Sequence, residues 1–303
     1  MFGRVGIVLV PVLLVVVWLV QRSRRSLELE PSCQGAAAAE YRHALRWRWA
    51  GLVLGVVVVA LTAGAGSLGL GVMASPTIFG FCVIAGVIVG ELATIPRRLG
   101  VRTAALETRT VGRYLPRRLG GLVAASTVAL GVLLTTTTVM GSADDMGRAG
   151  RSLSRECSRG WGASSGPWPG VFYSVPLGIA VAVGLLGAAV ALRAVVLRPR
   201  SGSTPELLSA DDVRRQHSAE AVVAATGVMV AASLLGIALT AAGALLGFAC
   251  PPISWTILGV ALLIVGVLMF LLVIWCLALL LGGPRLHAQS AGDRVVAGQG
   301  ARR

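Results

Sequence analysis

Carboxylates, thiols, hydroxyls and imidazoles are the groups with which this chain could do chemistry, and its long apolar stretches hold few of them. Glu91 is the one acidic residue inside such a stretch, close in sequence to Arg97 and Arg98. Burying a carboxylate is costly unless it is paired or neutralised, so an acid within a membrane is a candidate functional group. Its shallow position, a turn from the end of the stretch, favours a structural reading. In that reading Glu91 reaches the head groups or pairs with an arginine, Arg193 being one candidate. Arg193 is equally shallow and reads as an anchor whose guanidinium snorkels to the interface.

Thr135–Thr138 put four successive hydroxyls in one apolar stretch. Four consecutive positions point all round a helix, so they cannot all line one pore. Bonding back to the preceding turn, or across to a neighbouring helix, is the expected use. Cys157 and Cys250 fall in two connectors on the outer side, where disulfides persist, and a bond between them is expected. Cys33 falls in an inner connector, and Cys82 and Cys276 fall in apolar stretches, where a thiol packs as a small hydrophobe. His43, His217 and His287 are scattered singly. No HExxH, paired-cysteine motif or carboxylate cluster offers a metal site, and without lysine no phosphate-binding loop ending in Lys-Ser or Lys-Thr exists. The expectation is a non-enzyme with no cofactor and no catalytic residue.

The elements that must position these residues follow from composition. Hydrophobic residues make up 55% of the 303-residue chain and charged ones only 13%, about half the share in a soluble domain. Backbone groups in lipid must be satisfied within the segment, and continuous apolar runs of about 20 residues have helical rather than barrel-strand length. The fold class expected is therefore all-α: an integral membrane helical bundle of about seven transmembrane helices. Spans are placed near 5–21, 50–73, 77–95, 119–140, 171–192, 221–248 and 255–281, making 1–281 one transmembrane domain and 282–303 a disordered tail.

Charge sets the orientation. The first run has Arg4 before it and Arg22, Arg24 and Arg25 after it, the reverse of a cleavable signal peptide. The connector between the third and fourth spans carries Arg97, Arg98, Arg102, Arg109, Arg113, Arg117 and Arg118. Arginines are also dense in the first and third inner connectors and the tail, whereas 141–170 is nearly balanced. The positive-inside rule puts the N-terminus outside and the C-terminus in the cytoplasm. The formal charge of +14 is read the same way: the arginines meet anionic lipid head groups, and nucleic acid is not an expected partner. Among them, Arg97, Arg98, Arg102 and Arg193 join Glu91 as candidate functional or lipid-facing residues.

PRRLG occurs at both ends of the second inner connector, at 96–100 and 116–120, and reads as a repeated interfacial anchor. The distribution of long and short connectors does not support inverted repeats. Between these anchors, Val101, Ala105, Thr108, Val111 and Leu115 fall near one face of a helix, the pattern of a segment lying in the interface. The combination of the GEL end of the third span, RTAALE and the YLPRR entry to the fourth resembles uncharacterised polytopic membrane proteins of GC-rich bacteria. The resemblance covers 90–118 and implies no known activity. It suits a bacterial plasma membrane. The expected role is an accessory or scaffold component of a cell-envelope assembly, with other membrane proteins as partners. A permease for a small neutral or lipidic substrate is the alternative.

Overall fold

A computed structural model describes residues 36–63, 70–93, 116–157, 161–197 and 205–281. These residues form six helices: α1 (Ala36–Ala63), α2 (Leu70–Ala93), α3 (Arg117–Met140), α4 (Val171–Leu197), α5 (Pro205–Leu246) and α6 (Ile253–Leu281). Between α3 and α4 stands an antiparallel hairpin, β1 (Leu153–Glu156) and β2 (Gly162–Ser165), with Leu153 opposite Ser165 and Glu156 opposite Gly162. Each helix contains a segment long and apolar enough to cross a membrane. The protein is a multi-pass membrane protein, mostly helical rather than wholly so. The span expected at 5–21, the tail 282–303, Cys33, His287, Arg97, Arg98 and Arg102 lie outside the described residues.

The helix limits correct the expected division of the first hairpin. The spans expected at 50–73 and 77–95 leave 74–76 as the turn between them, but Pro76 lies within α2, and α1 ends at Ala63. Proline is a weak stop signal for a helix buried in lipid and protein, where neighbouring groups can re-satisfy the freed carbonyl. The glycine-rich sequence 64–69 separates the two helices instead. At the other end, α1 begins well before residue 50, because the arginine-bearing stretch preceding the apolar run is already helical.

The core is organised around α5. Every residue from Ala221 to Ala231 is buried, which a helix packed on one side cannot achieve. Helices α2, α3, α4 and α6 surround it, while α1 packs mainly on α2. Small residues make this possible, since alanine and glycine let helix backbones approach closely. The outer helices follow lipid rather than water: Ile257, Ile264, Val267 and Leu271 of α6 are all exposed. The Gly51–Gly86 crossing of α1 and α2 is equally tight. A Cβ on Gly51 would sit 2.6 Å from the Cys82 carbonyl oxygen and 2.9 Å from the Gly86 Cα.

Successive helices run in opposite directions, which gives the bundle two ends. The starts of α1, α3 and the membrane part of α5 meet the ends of α2, α4 and α6 at one of them, the arginine-rich end. The hairpin and the α5–α6 turn occupy the opposite end.

Candidate functional site

At the arginine-rich end, Glu91 is gripped from two helices. The Arg48 Nη2 of α1 donates to its Oε1 at 3.3 Å, and the Ser218 Oγ of α5 donates to its Oε2 at 2.6 Å. Arg48 also donates through Nη1 to the Leu280 carbonyl of α6 at 3.2 Å. The two ionic side chains are nearly buried, 8% and 12% exposed. Three residues before Ser218 on the same helix, the buried Arg215 donates to the Val196 carbonyl of α4 at 2.9 Å. One turn of α5 thus holds α2 and α4, and Glu91 and Arg48 extend the link to α1 and α6.

Helix periodicity puts Arg48 where it acts. Leu45, Arg48 and Leu52 recur at helical spacing and all three are buried, so the guanidinium is carried inward on the packing face. Arg48 precedes the span expected at 50–73, and Arg193 was the arginine expected as a possible partner for Glu91. In the structure Arg48 is helical and bonded to Glu91, whereas the Arg193 side chain is exposed. The inward periodicity of Arg48 was the available signal. Nothing local to Ser218 or Arg215 marks them as partners, because their neighbours come from helices far away in sequence.

The threonine run is committed locally. Thr135, Thr136, Thr137 and Thr138 each donate to a carbonyl three or four residues earlier. Only Thr137 is buried, and its hydroxyl also meets the Ser174 Oγ of α4 at 3.4 Å. Deeper in the bundle, the Ser233 hydroxyl of α5 donates to the Met229 carbonyl, so the 2.8 Å contact with Thr77 of α2 has Thr77 as donor. Among the described residues every buried side-chain nitrogen or oxygen has a partner.

The opposite end carries a compact cap. Trp168 is 1% exposed and its indole N–H donates to the Thr137 carbonyl at 2.8 Å. Leu153, Ala163 and Trp168 pack with Ala241 and Leu245 of α5 and with Phe248 just beyond it, and the Ser165 hydroxyl donates to the Ala244 carbonyl. Gly150, at φ +73°, lies flat against Gly170, an approach that leaves no room for a side chain at either. Asp144 accepts from the side chains of Arg148 at 2.9 Å and Arg151 at 2.6 Å. Desolvation pushes the Asp144 carboxyl up, but the backbone and side-chain hydrogen bonds and charge of Arg148, with the Met146 N–H, outweigh it and hold the group below the usual carboxylate range. The Tyr173 hydroxyl, accepting from Arg151, chiefly raises that guanidinium's pKa against the opposing desolvation, with help from Asp144.

Cys157 and Cys250 are disulfide-bonded, their Cα atoms 6.2 Å apart, linking the cap to the α5–α6 turn. Among the described residues no group of three or more His, Cys, Asp or Glu side chains could hold a metal ion. His43 accepts from the Trp47 indole at 3.0 Å, and His217 lies 3.8 Å from Glu220. No protein-family model, curated protein or solved structure matches the chain.

Proposed function

We propose that the protein is a non-catalytic accessory or scaffold component of a bacterial cell-envelope assembly, working through contacts with other membrane proteins. The arginine-rich end faces the cytoplasm and the disulfide-bonded cap faces outward. The observation that carries this reading is that, among the described residues, the buried polar side chains are all committed to the fold. Glu91, the strongest candidate for chemistry, has both oxygens engaged by Arg48 and Ser218. The basic connectors supply the docking charge, Arg97, Arg98 and Arg102 following Glu91 in the sequence.

A permease would have drawn its polar lining from Glu91 and Thr135–Thr138. Those hydroxyls already bond to their own helix, which leaves that reading little to work with. Affinity purification from mild detergent tests the proposal. A stoichiometric membrane-protein partner is expected with the wild-type chain, lost when Arg97, Arg98 and Arg102 are replaced together by glutamine. A chain that purifies alone after in-cell cross-linking overturns it.

A further inference from the structure

The turn that opens the cap, from Asp144 to Arg148, is fixed from within by one carboxylate. Asp144 Oδ1 accepts from the backbone N–H groups of Met146 at 3.1 Å and Arg148 at 2.8 Å. Its Oδ2 accepts from the Arg148 Nε at 2.9 Å. The Asp144 N–H closes the turn on the Arg148 carbonyl, and Gly147 takes the φ of +76° that this tight return needs. The guanidinium is thus held at its Nε, and its Nη2 donates to the Met146 Sδ. Met146 is 73% exposed, against 37% for Met140 and 0% for Met229, and Met269 is partly buried against the core. Exposure and bonding together define how this sulfur can react. A thioether sulfur carries two lone pairs, and the one it commits to an oxidant sets the handedness of the sulfoxide. With Arg148 covering one lone pair, attack is confined to the other.

We infer that Met146 is an oxidant-accepting modification site whose sulfoxide forms in one handedness, set by Arg148. The oxidant is a hydroperoxide. The free lone pair of Sδ attacks the terminal peroxide oxygen, so that an S–O bond forms and the O–O bond breaks. The displaced oxygen takes the proton of the transferred hydroxyl and leaves as water or an alcohol; sulfur loses two electrons and the peroxide gains them. A dithiol-dependent reductase matched to that epimer reverses the change, releasing water and a disulfide. The backbone of the turn is held by Asp144 and not by the thioether, so the cap keeps its fold through the cycle. The Cys157–Cys250 bond lies in the same cap, and an oxidising compartment would supply both chemistries there. The site is independent of the scaffold role; only its supply of oxidant depends on the outward orientation of the cap.

Graded oxidation of the full chain in lipid nanodiscs by hydrogen peroxide tests it, read by mass spectrometry of the proteolytic peptides. Treating the peptides with a reductase specific for one sulfoxide epimer or the other counts the two forms. Among Met140, Met146, Met229 and Met269, Met146 is expected to oxidise first, with one epimer in roughly threefold excess or more. In Arg148→Leu and Arg148→Ala chains that keep the wild-type Trp168 fluorescence, the two epimers should approach equal amounts. The site is overturned if Met229 or Met269 oxidises as fast as Met146, or if the excess survives in the folded Arg148 variants. Equal epimers from the folded wild-type chain overturn it without any variant.

Discussion

Replacing Glu91 by alanine should destabilise the bundle through the partner it abandons rather than through the attraction it loses. At 3.3 Å and an effective dielectric of about 20, the Arg48–Glu91 attraction is about 5 kcal/mol, and taking both ions out of water offsets most of it. The intact pair therefore contributes little net stability. Removing one member of a buried pair costs about 3–5 kcal/mol because the other charge stays buried. Residual exposure of 8% and 12% lets some water reach the survivor, so the lower end, about 3 kcal/mol, applies. For a chain of this size that is a fall in Tm of about 6–12 °C. Glu91→Gln keeps one acceptor oxygen but leaves the Arg48 charge uncompensated, so it should lose nearly as much, about 2–3 kcal/mol. The paired variant Arg48→Met with Glu91→Met removes both charges and should lie within about 1 kcal/mol of the wild type, with Ser218 bonding back to its own helix. Thermal unfolding in a single detergent, followed by circular dichroism, measures these chains beside the single variants Arg48→Met and Glu91→Met. A double variant that loses as much as those two single variants combined would refute the argument, because the residues would then act independently.

The Gly51→Leu chain should lose the α1–α2 crossing, since the new Cβ meets backbone atoms that cannot yield; cross-linking between engineered cysteines on the two helices should fall at least several-fold. Because folding depresses the Asp144 carboxyl, its contribution is present above the ordinary carboxylate value and disappears as pH falls through the lower folded value. The cap should accordingly keep its Trp168 fluorescence at pH 5 and lose it only in stronger acid, a dependence that Asp144→Asn removes. Thr135→Val and Thr136→Val, at exposed positions whose hydroxyls bond only their own helix, should each shift stability by less than about 0.5 kcal/mol; a larger loss of any cellular activity would revive a polar pathway.

Much of the architecture was legible because lipid makes long apolar runs into helices. Val171 to Leu192 and Trp255 to Leu281 read as spans and lie within α4 and α6. The Cys157–Cys250 bond was legible from compartment logic, since these were the two thiols left on one side. Arg48 was hard to single out because a charged residue before an apolar run looks like a connector, although its spacing from Leu45 and Leu52 turns it inward. The cap escaped notice because LSRE and GASS show too little alternation to announce strands. Its order comes instead from Trp168 and the disulfide. The centrality of α5 was also hidden: a helix buried on all sides and one facing lipid on one side are both apolar throughout.

That centrality has a consequence for how the chain is made. Synthesis delivers α1 to α4 to the membrane before the helix around which they gather exists. The α1–α2 pair already holds its Gly51–Gly86 crossing and its Arg48–Glu91 bridge, so it can wait as a unit. Helices α3 and α4 wait with fewer of their final neighbours, and Thr77 and Glu91 have hydroxyl partners still to come. The arrival of α5 then closes the assembly late and from within, like a keystone set last, and a ribosome stalled before residue 205 leaves a set of inserted helices with no centre.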